Sequence, residues 1–227
     1  MKPLLLLHGA IGSDTQLTSL KDALSKYYSV HTLNFSGHGG KKFSDNFSIE
    51  GFAQEVLDWM KEKKLSRTSI FGYSMGGYVA LYLAKHHPNK IDSIVTLATK
   101  FHWNEQVATK EAANMQPGII KAKLPAFAEE LKQRHQPVDW EELLEKTSAL
   151  LHYIGSETPL LIQEFNQVNC PVLLTLGDRD KMVSLVETVT VYKEIPNGQL
   201  AVLPFTHHAI ETVDINLLCL LIRNFIK

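Results

Sequence analysis

Cysteine, net charge and long apolar runs are all scarce in this 227-residue chain, and each scarcity excludes a class of protein. The two cysteines, Cys170 and Cys219, lie far apart in no CxxC pattern, so we expect a reducing, cytoplasmic setting without a disulfide framework. A net charge of −1 and a pI near 6.8 give no field that would recruit nucleic acid or an anionic membrane. No run approaches the ~18 apolar residues of a membrane span, and four leucines at the amino terminus are too few for a signal peptide.

Metal-ligand spacing is also absent. The ten histidines form no HExxH or comparable pattern, and adjacent pairs such as His86 and His87 are poor chelators. The sequence therefore predicts neither a metal nor an organic cofactor, and it gives no indication of the oligomeric state.

What the chain does contain is an alternation of short apolar runs with longer amphipathic segments. The apolar runs are nearly continuous, which is typical of parallel strands covered on both faces. We predict strands at Leu4–Leu7, Ser29–Leu33, Ser69–Phe71, Ile91–Leu97, Val172–Leu176 and Leu200–Leu203. We predict helices at Thr15–Lys26, Ile49–Lys64, Met75–His87, Leu185–Ile195 and Ile210–Phe225. The alternation predicts an α/β fold with a doubly wound, mostly parallel sheet of about six strands.

The alternation is interrupted once, between about residues 101 and 167. This stretch has no strand pattern, and it contains helix candidates at Phe127–His135, Trp140–Leu151 and Thr158–Phe165. It is too long for a plain loop, so we predict a helical insertion there. The core would then comprise residues 1–100 and 168–227.

Polar residues follow several of the predicted strands. In open parallel sheets, ligands lie beyond the carboxyl ends of the strands. The first strand is followed by His8-Gly9-Ala10, the third by Gly72-Tyr73-Ser74-Met75-Gly76, the fifth by Gly177-Asp178-Arg179-Asp180 and the sixth by Pro204-Phe205-Thr206-His207-His208. A serine, acids and histidines thus meet at one edge, and these are the groups that activate a hydroxyl nucleophile.

The GxSxG pentapeptide at Ser74 is informative because of its context. It follows an apolar run and opens a helical pattern, and small residues on both sides permit the strained strand-to-helix turn that exposes a nucleophile. The residues alone leave two choices open. Either Asp178 or Asp180 can be the acid, and either His207 or His208 can be the base.

Over nearly its whole length the chain resembles the α/β-hydrolase fold family. The order Ser74, Asp180, His208 matches the order of the family's catalytic triad. The segment from Gly177 to Val183 resembles the family's G-x-x-D-x-x-V motif, which selects Asp180. The segment Leu203–His208 resembles its IPGAGH ending, which selects His208, although Phe205 and His207 replace frequent glycines and keep His207 as an alternative base.

The resemblance also implies an oxyanion hole and a cap. The HG turn at His8-Gly9 implies that the backbone N–H groups of Ala10 and Met75 receive the oxyanion, whereas His38 in a GHG loop is implied to be structural. The insertion at residues 101–167 falls at the family's cap position. The chain also opens directly on the strand before the HG turn, so the first two strands of larger members have no counterpart.

The function implied is that of a carboxylesterase-like serine hydrolase acting on a small ester or thioester through an acyl-enzyme. Candidate substrate-binding residues are Ile11, Tyr73 and Trp103, with Phe101 and Phe205 also near the edge; each is equally consistent with core packing. The expected partner is a small-molecule substrate. Alternatives are a small-molecule receptor or signalling protein with little turnover, or a non-ester reaction such as C–C bond hydrolysis, a lyase or a perhydrolase reaction.

Overall fold

The strands form where short runs of leucine and β-branched residues can be buried on both faces of a sheet. The computed structural model describes all 227 residues and contains six such strands. They are β1 Pro3–Leu7, β2 Ser29–Leu33, β3 Thr68–Tyr73, β4 Ile91–Leu97, β5 Val172–Gly177 and β6 Gly198–Leu203. All neighbouring strands are parallel, in the order β2-β1-β3-β4-β5-β6, so the prediction of a six-stranded, doubly wound parallel sheet is confirmed.

Strand β1 shows why its sequence reads as an unbroken apolar run. Successive side chains of a strand point to opposite faces of the sheet. Leu4 and Leu6 therefore pack into the core on one face, Leu5 and Leu7 pack into the core on the other, and none of them is exposed to solvent. A strand buried on both faces has no polar side to alternate with.

Nine α-helices surround the sheet. They are α1 Thr18–Leu24, α2 Ile49–Glu62, α3 Met75–His86, α4 Glu105–Ala112, α5 Pro117–Lys123, α6 Pro125–His135, α7 Trp140–Ser156, α8 Leu185–Glu194 and α9 Ile215–Phe225. Helices α1 and α9 cover one face, and α2, α3 and α8 cover the other. No helix combines the length and the apolar composition that crossing a bilayer requires.

Helices α4 to α7 lie between β4 and β5 and fall within the predicted insertion. The expected helix at Thr158–Phe165 is wrong: the chain is irregular there and then forms a 3₁₀ turn at Ile162–Gln167. The backbone N–H of Leu160 donates to the Tyr78 hydroxyl, and the N–H of Leu161 donates to Glu164. These amides are thus bonded to side chains, where a helix would pair each one with a carbonyl one turn earlier. Helices α4 and α5 are not among the predicted helices.

Candidate active site

Ser74 lies at the sharp turn where β3 passes into α3. Its φ of 50° and ψ of −115° place it in a backbone region that costs a residue with a side chain about 1–3 kcal/mol. Surrounding bonds hold the turn: the Ser74 N–H donates to the Leu97 carbonyl at 2.8 Å. The Ser74 carbonyl accepts from the N–H of Gly77 and the hydroxyl of Thr99, both at 3.0 Å. Ser74 therefore belongs to neither β3, which ends at Tyr73, nor α3, which begins at Met75.

Two glycines of the pentapeptide are required by close backbone approaches. A Cβ at Gly72 would lie 2.4 Å from the backbone nitrogen of Gly77. A Cβ at Gly76 would lie 2.6 Å from the carbonyl oxygen of Leu7 on β1. Backbone atoms cannot yield to such contacts, so the spacing of the GxSxG motif follows from the packing of β1, β3 and α3.

An acid and a histidine meet at the same edge of the sheet. Nδ1 of His208 lies 2.8 Å from Oδ2 of Asp180, whose side chain is fully buried. The other oxygen of Asp180 accepts from the N–H groups of Met182 and Val183, each at 2.8 Å. Burial alone would raise the pKa of Asp180, but the bonds from His208, Val183 and Met182 outweigh it and hold that pKa below its ordinary value. Asp180 is therefore a fixed anion behind the histidine.

The neighbouring candidates occupy different surroundings. His207 is exposed and makes no hydrogen bond, and Asp178 is exposed at the surface. One oxygen of Asp178 accepts from the Thr206 N–H at 3.2 Å, which ties the loop after β6 to the loop after β5. The structure thus pairs His208 with Asp180 and gives Asp178 a supporting contact.

Ser74 and His208 line one cavity of about 400 Å³ between the edge of the sheet and helices α4, α6 and α7. The Ser74 hydroxyl makes no hydrogen bond, to His208 or to any other group. In enzymes without a bound substrate this contact is often long, and it shortens when the substrate binds. The predicted nucleophile and base therefore share a cavity but are not hydrogen-bonded to each other.

The two predicted oxyanion donors line the same cavity. The N–H of Ala10 has no acceptor within the protein, and Met75 is the first residue of α3, where no carbonyl one turn earlier is available. Of the predicted substrate-binding residues, Ile11, Tyr73 and Trp103 also line the cavity. The two further candidates do not: Phe101 is buried in the core, and Phe205 is 79% exposed beside Arg179.

Three buried histidines lie behind the turn that carries Ala10. The ring centroids of His8 and His38 are 4.9 Å apart, and those of His38 and His135 are 5.9 Å apart. Burial lowers the pKa of His8 and of His135 from 6.5 to about 4, and it lowers the pKa of His38 well below 6.5. All three rings are therefore neutral at pH 7, and a neutral ring has one donor and one acceptor nitrogen.

Two members of this histidine cluster (His8, His38 and His135) bond the backbone of Ile11. Ile11 has a φ of 51°, which is strained for a β-branched residue. Its N–H donates to Nε2 of His38 at 3.2 Å, and its carbonyl accepts from Nε2 of His135 at 3.0 Å and from Arg134 at 3.2 Å. Ile11 directly follows Ala10, so residues from the core and from α6 fix the conformation of the predicted oxyanion turn.

No ring nitrogen of the cluster is left over. The remaining nitrogens bond the backbone: His8 bonds the Gly9 carbonyl and the Phe35 N–H, His38 bonds the Ser36 carbonyl, and His135 accepts from the Gly39 N–H. A ring whose two nitrogens are both engaged has no lone pair for a metal or for a reacting proton. We therefore interpret the cluster as structural.

Two further polar residues of the cavity, on helices α4 and α7, are not among the predicted site residues. Glu111 on α4 and Thr147 on α7 both line the cavity and are both buried. Neither makes a hydrogen bond or an ion pair. Nothing in their local sequence distinguishes them from the other polar residues of amphipathic helices.

The chain was compared with models of known protein families, and one family model matches. It is described as the alpha/beta hydrolase fold, and it covers residues 2–153. The chain belongs to the alpha/beta hydrolase fold family. Its predicted class, an esterase-like hydrolase, is confirmed by the curated relatives and the family match.

Individual relatives are distant but extend over most of the chain. A pimeloyl-[acyl-carrier protein] methyl ester esterase of Neisseria meningitidis is 25% identical over 248 aligned residues, spanning 100% of this chain and 77% of the relative. Lipase 3 of a Moraxella species is 24% identical over 234 aligned residues, spanning 91% and 71%. The crystal structure of the enol-lactonase of Burkholderia xenovorans superposes with a TM-score of 0.81 at 18% identity, covering 99% of this chain and 91% of that one. At that identity the likeness establishes the shared fold.

Proposed function

We propose that this hydrolase cleaves a small ester or thioester by nucleophilic catalysis, with Ser74 as nucleophile, His208 as base and Asp180 as the acid that orients the base. The observation that carries the proposal is the bond between His208 and the buried Asp180, in a cavity that also contains Ser74. Because the Asp180 carboxylate accepts the hydrogen bond of Nδ1, Nε2 is the ring nitrogen able to accept the serine proton.

The first step joins Ser74 to the acyl group. His208 removes the hydroxyl proton as Oγ attacks the carbonyl carbon, and the carbonyl oxygen becomes an oxyanion. The N–H groups of Ala10 and Met75 donate to that oxyanion, and each such donor is typically worth about 3 kcal/mol of barrier lowering. His208 then returns its proton to the departing alcohol or thiol, which leaves an acyl-enzyme.

The second step releases the acid. His208 takes a proton from water, the hydroxide attacks the acyl carbon, and the proton passes to Oγ of Ser74 as the carbon–oxygen bond breaks. Asp180 remains an anion throughout and stabilises the imidazolium that forms in each step.

A small substrate is supported by the size and composition of the cavity. Its volume of about 400 Å³ lies near the lower end of ~300–1,000 Å³ for ligand pockets. More than half of its lining residues are hydrophobic, which suits the apolar part of an acyl chain or alcohol. Ester chemistry is supported by the curated relatives, one named as a methyl ester esterase and another as a lipase.

A fluorophosphonate probe tests the nucleophile directly. We expect one adduct, on Ser74, located by mass spectrometry, with no adduct in Ser74→Ala and very slow labelling in His208→Ala. His207→Ala is the matched control and should react like the wild type. An adduct that persists in Ser74→Ala contradicts the proposal, and labelling without turnover of p-nitrophenyl esters supports a ligand-binding role over hydrolysis.

A further inference from the structure

The wall of the cavity formed by helices α4 and α7 contains two polar side chains, Glu111 and Thr147, that have no hydrogen-bond partner in the protein. Oγ1 of Thr147 is the one buried side-chain nitrogen or oxygen in the chain that has no hydrogen-bond partner. Glu111 is buried as a residue, and its carboxylate, which forms no hydrogen bond or ion pair, lines the cavity. Both line the cavity of Ser74, from two helices that pack against each other.

A buried polar group without a hydrogen-bond partner destabilises the folded state, so most such groups are paired. A buried hydroxyl is normally bonded, and a threonine within a helix commonly bonds the carbonyl one turn earlier. A buried carboxylate normally has a cation or several donors. A buried hydroxyl without a partner and a carboxylate without a cation line the same cavity, and a ligand in that cavity can supply both partners.

The chemistry of the two groups restricts that partner. A carboxylate only accepts hydrogen bonds, and the threonine hydroxyl offers a second acceptor, so a ligand group that contacts both side chains donates more than once. A positive charge compensates the carboxylate, whereas a carboxylate or phosphate on the ligand would be repelled. A primary ammonium group has three donors and the required charge.

More than half of the residues that line the cavity are hydrophobic, and its two cations are already engaged: Lys100 bonds the Met182 carbonyl, and Arg134 bonds Glu130 and the Ile11 carbonyl. Ile49, Leu150 and Ile154 contribute to the cavity wall, and these residues belong to the main hydrophobic core. An ammonium group at Glu111 would therefore be joined to the reacting carbonyl by a hydrocarbon segment.

We infer that Glu111 and Thr147 form a subsite for a protonated amine, and that the substrate is a small ester or thioester with an amino group away from the scissile bond. The ester part of this statement rests on the proposed function. The ammonium subsite rests only on Glu111, Thr147 and the cavity, so the two parts can fail separately.

Binding of simple amines tests the subsite without any reaction. In calorimetric titrations the wild-type protein should bind hexylamine at least tenfold more tightly than hexan-1-ol. Glu111→Gln should remove that preference, and Thr147→Val should reduce it severalfold. Glu105→Gln, which changes an exposed acid on the same helix, is the matched control and should bind as the wild type does. Equal binding of amine and alcohol, or no loss in Glu111→Gln, overturns the inference.

A pair of substrates of equal length tests the specificity. We expect kcat/KM for p-nitrophenyl 6-aminohexanoate to exceed that for p-nitrophenyl heptanoate at least tenfold, and the ratio to fall to one or below in Glu111→Gln. An unchanged ratio in Glu111→Gln overturns the subsite while leaving the hydrolase intact. Hydrolysis of neither ester, with Ser74 unlabelled but hexylamine still bound, overturns the proposed function and leaves the subsite intact.

Thermal stability separates a binding role from a structural one. Replacing an unpartnered buried group by a neutral or apolar residue of the same shape removes its desolvation cost. Glu111→Gln and Thr147→Val should therefore melt at or above the wild-type temperature, which also shows that the variants fold. A clear drop in melting temperature for both would mean that the groups support the fold, and the inference would be overturned.

Discussion

His208 and the histidine cluster differ in the groups that their ring nitrogens bond. In His208 the nitrogen Nδ1 bonds a buried carboxylate, while Nε2 bonds nothing. In the histidine cluster both nitrogens of each ring are bonded to the backbone. A histidine must have a free nitrogen to move a proton, so the hydrogen bonds of the rings separate the proposed base, His208, from the three cluster histidines more clearly than burial does.

The largest effect is expected when the unbonded nitrogen, Nε2 of His208, is removed. In His208→Ala we expect kcat/KM for p-nitrophenyl esters to fall by about 10⁵-fold, because the serine loses its base. The measurement is initial-rate kinetics at pH 7.5, with circular dichroism to verify folding. His207→Ala should stay within about twofold of the wild type, since the His207 side chain is exposed and unbonded. The opposite result would move the base to His207.

Asp180→Asn should have the next largest effect. The amide keeps the shape but cannot compensate the imidazolium, and its NH₂ favours the wrong tautomer of His208. A fall in kcat of about 10⁴-fold is expected, with little change in KM. Asp178→Asn, one turn position away and without contact to His208, is the control. A similar loss in both variants would indicate a general disturbance of the loop after β5.

Removing a ring of the cluster should cost stability more than chemistry. His135→Ala leaves the Gly39 N–H without its acceptor and takes one of two donors from the Ile11 carbonyl. The free energy of unfolding should fall by about 2–4 kcal/mol in urea titrations. We expect kcat to fall about tenfold through a displaced Ala10 N–H, far less than in His208→Ala. A fall in kcat as large as that of His208→Ala would mean that the histidine cluster takes part in the reaction.

Lowering the pH should destabilise the fold through the buried histidines before it protonates Asp180. An unfolded histidine takes up protons near pH 6.5, whereas folded His8 and His135 do so only near 4. Between these values the unfolded chain binds more protons, so the free energy of unfolding decreases as the pH falls from 6.5 to 4. Asp180, whose pKa is held low, adds its loss only at more acidic pH. Melting temperatures across pH 7.5–4 should show a decline that is shallower in His135→Gln; a flat profile would contradict it.

The sheet and the strand-edge residues were predictable because their causes are local in sequence. Continuous apolar runs marked the strands to within about two residues, and the GxSxG spacing reflects backbone contacts at Gly72 and Gly76. The choice between His207 and His208, by contrast, needed the family resemblance, since adjacent residues share every local signal.

The cap side was not predictable for a corresponding reason. His135 bonds Gly39 and Ile11, which lie 96 and 124 residues away in sequence. Nothing near His135 indicates these partners, and the same is true of the missing partners of Glu111 and Thr147. Helices α4 and α5 are short and of mixed polarity, so periodicity did not reveal them. The position of the inserted helices, and of the residues that they contribute to the cavity, depends on contacts between residues far apart in sequence.

The attachment of Ile11 to α6 links the two layers of the molecule mechanically. Two of the three bonds on the Ile11 backbone come from Arg134 and His135 of that helix. If α6 moved away from the sheet, the strained turn would lose the carbonyl contacts that keep φ positive, and Ala10 would relax with it. The position of α6 and the geometry of the turn that carries the proposed oxyanion donor Ala10 are therefore coupled, and a displacement of the helix would disturb the turn.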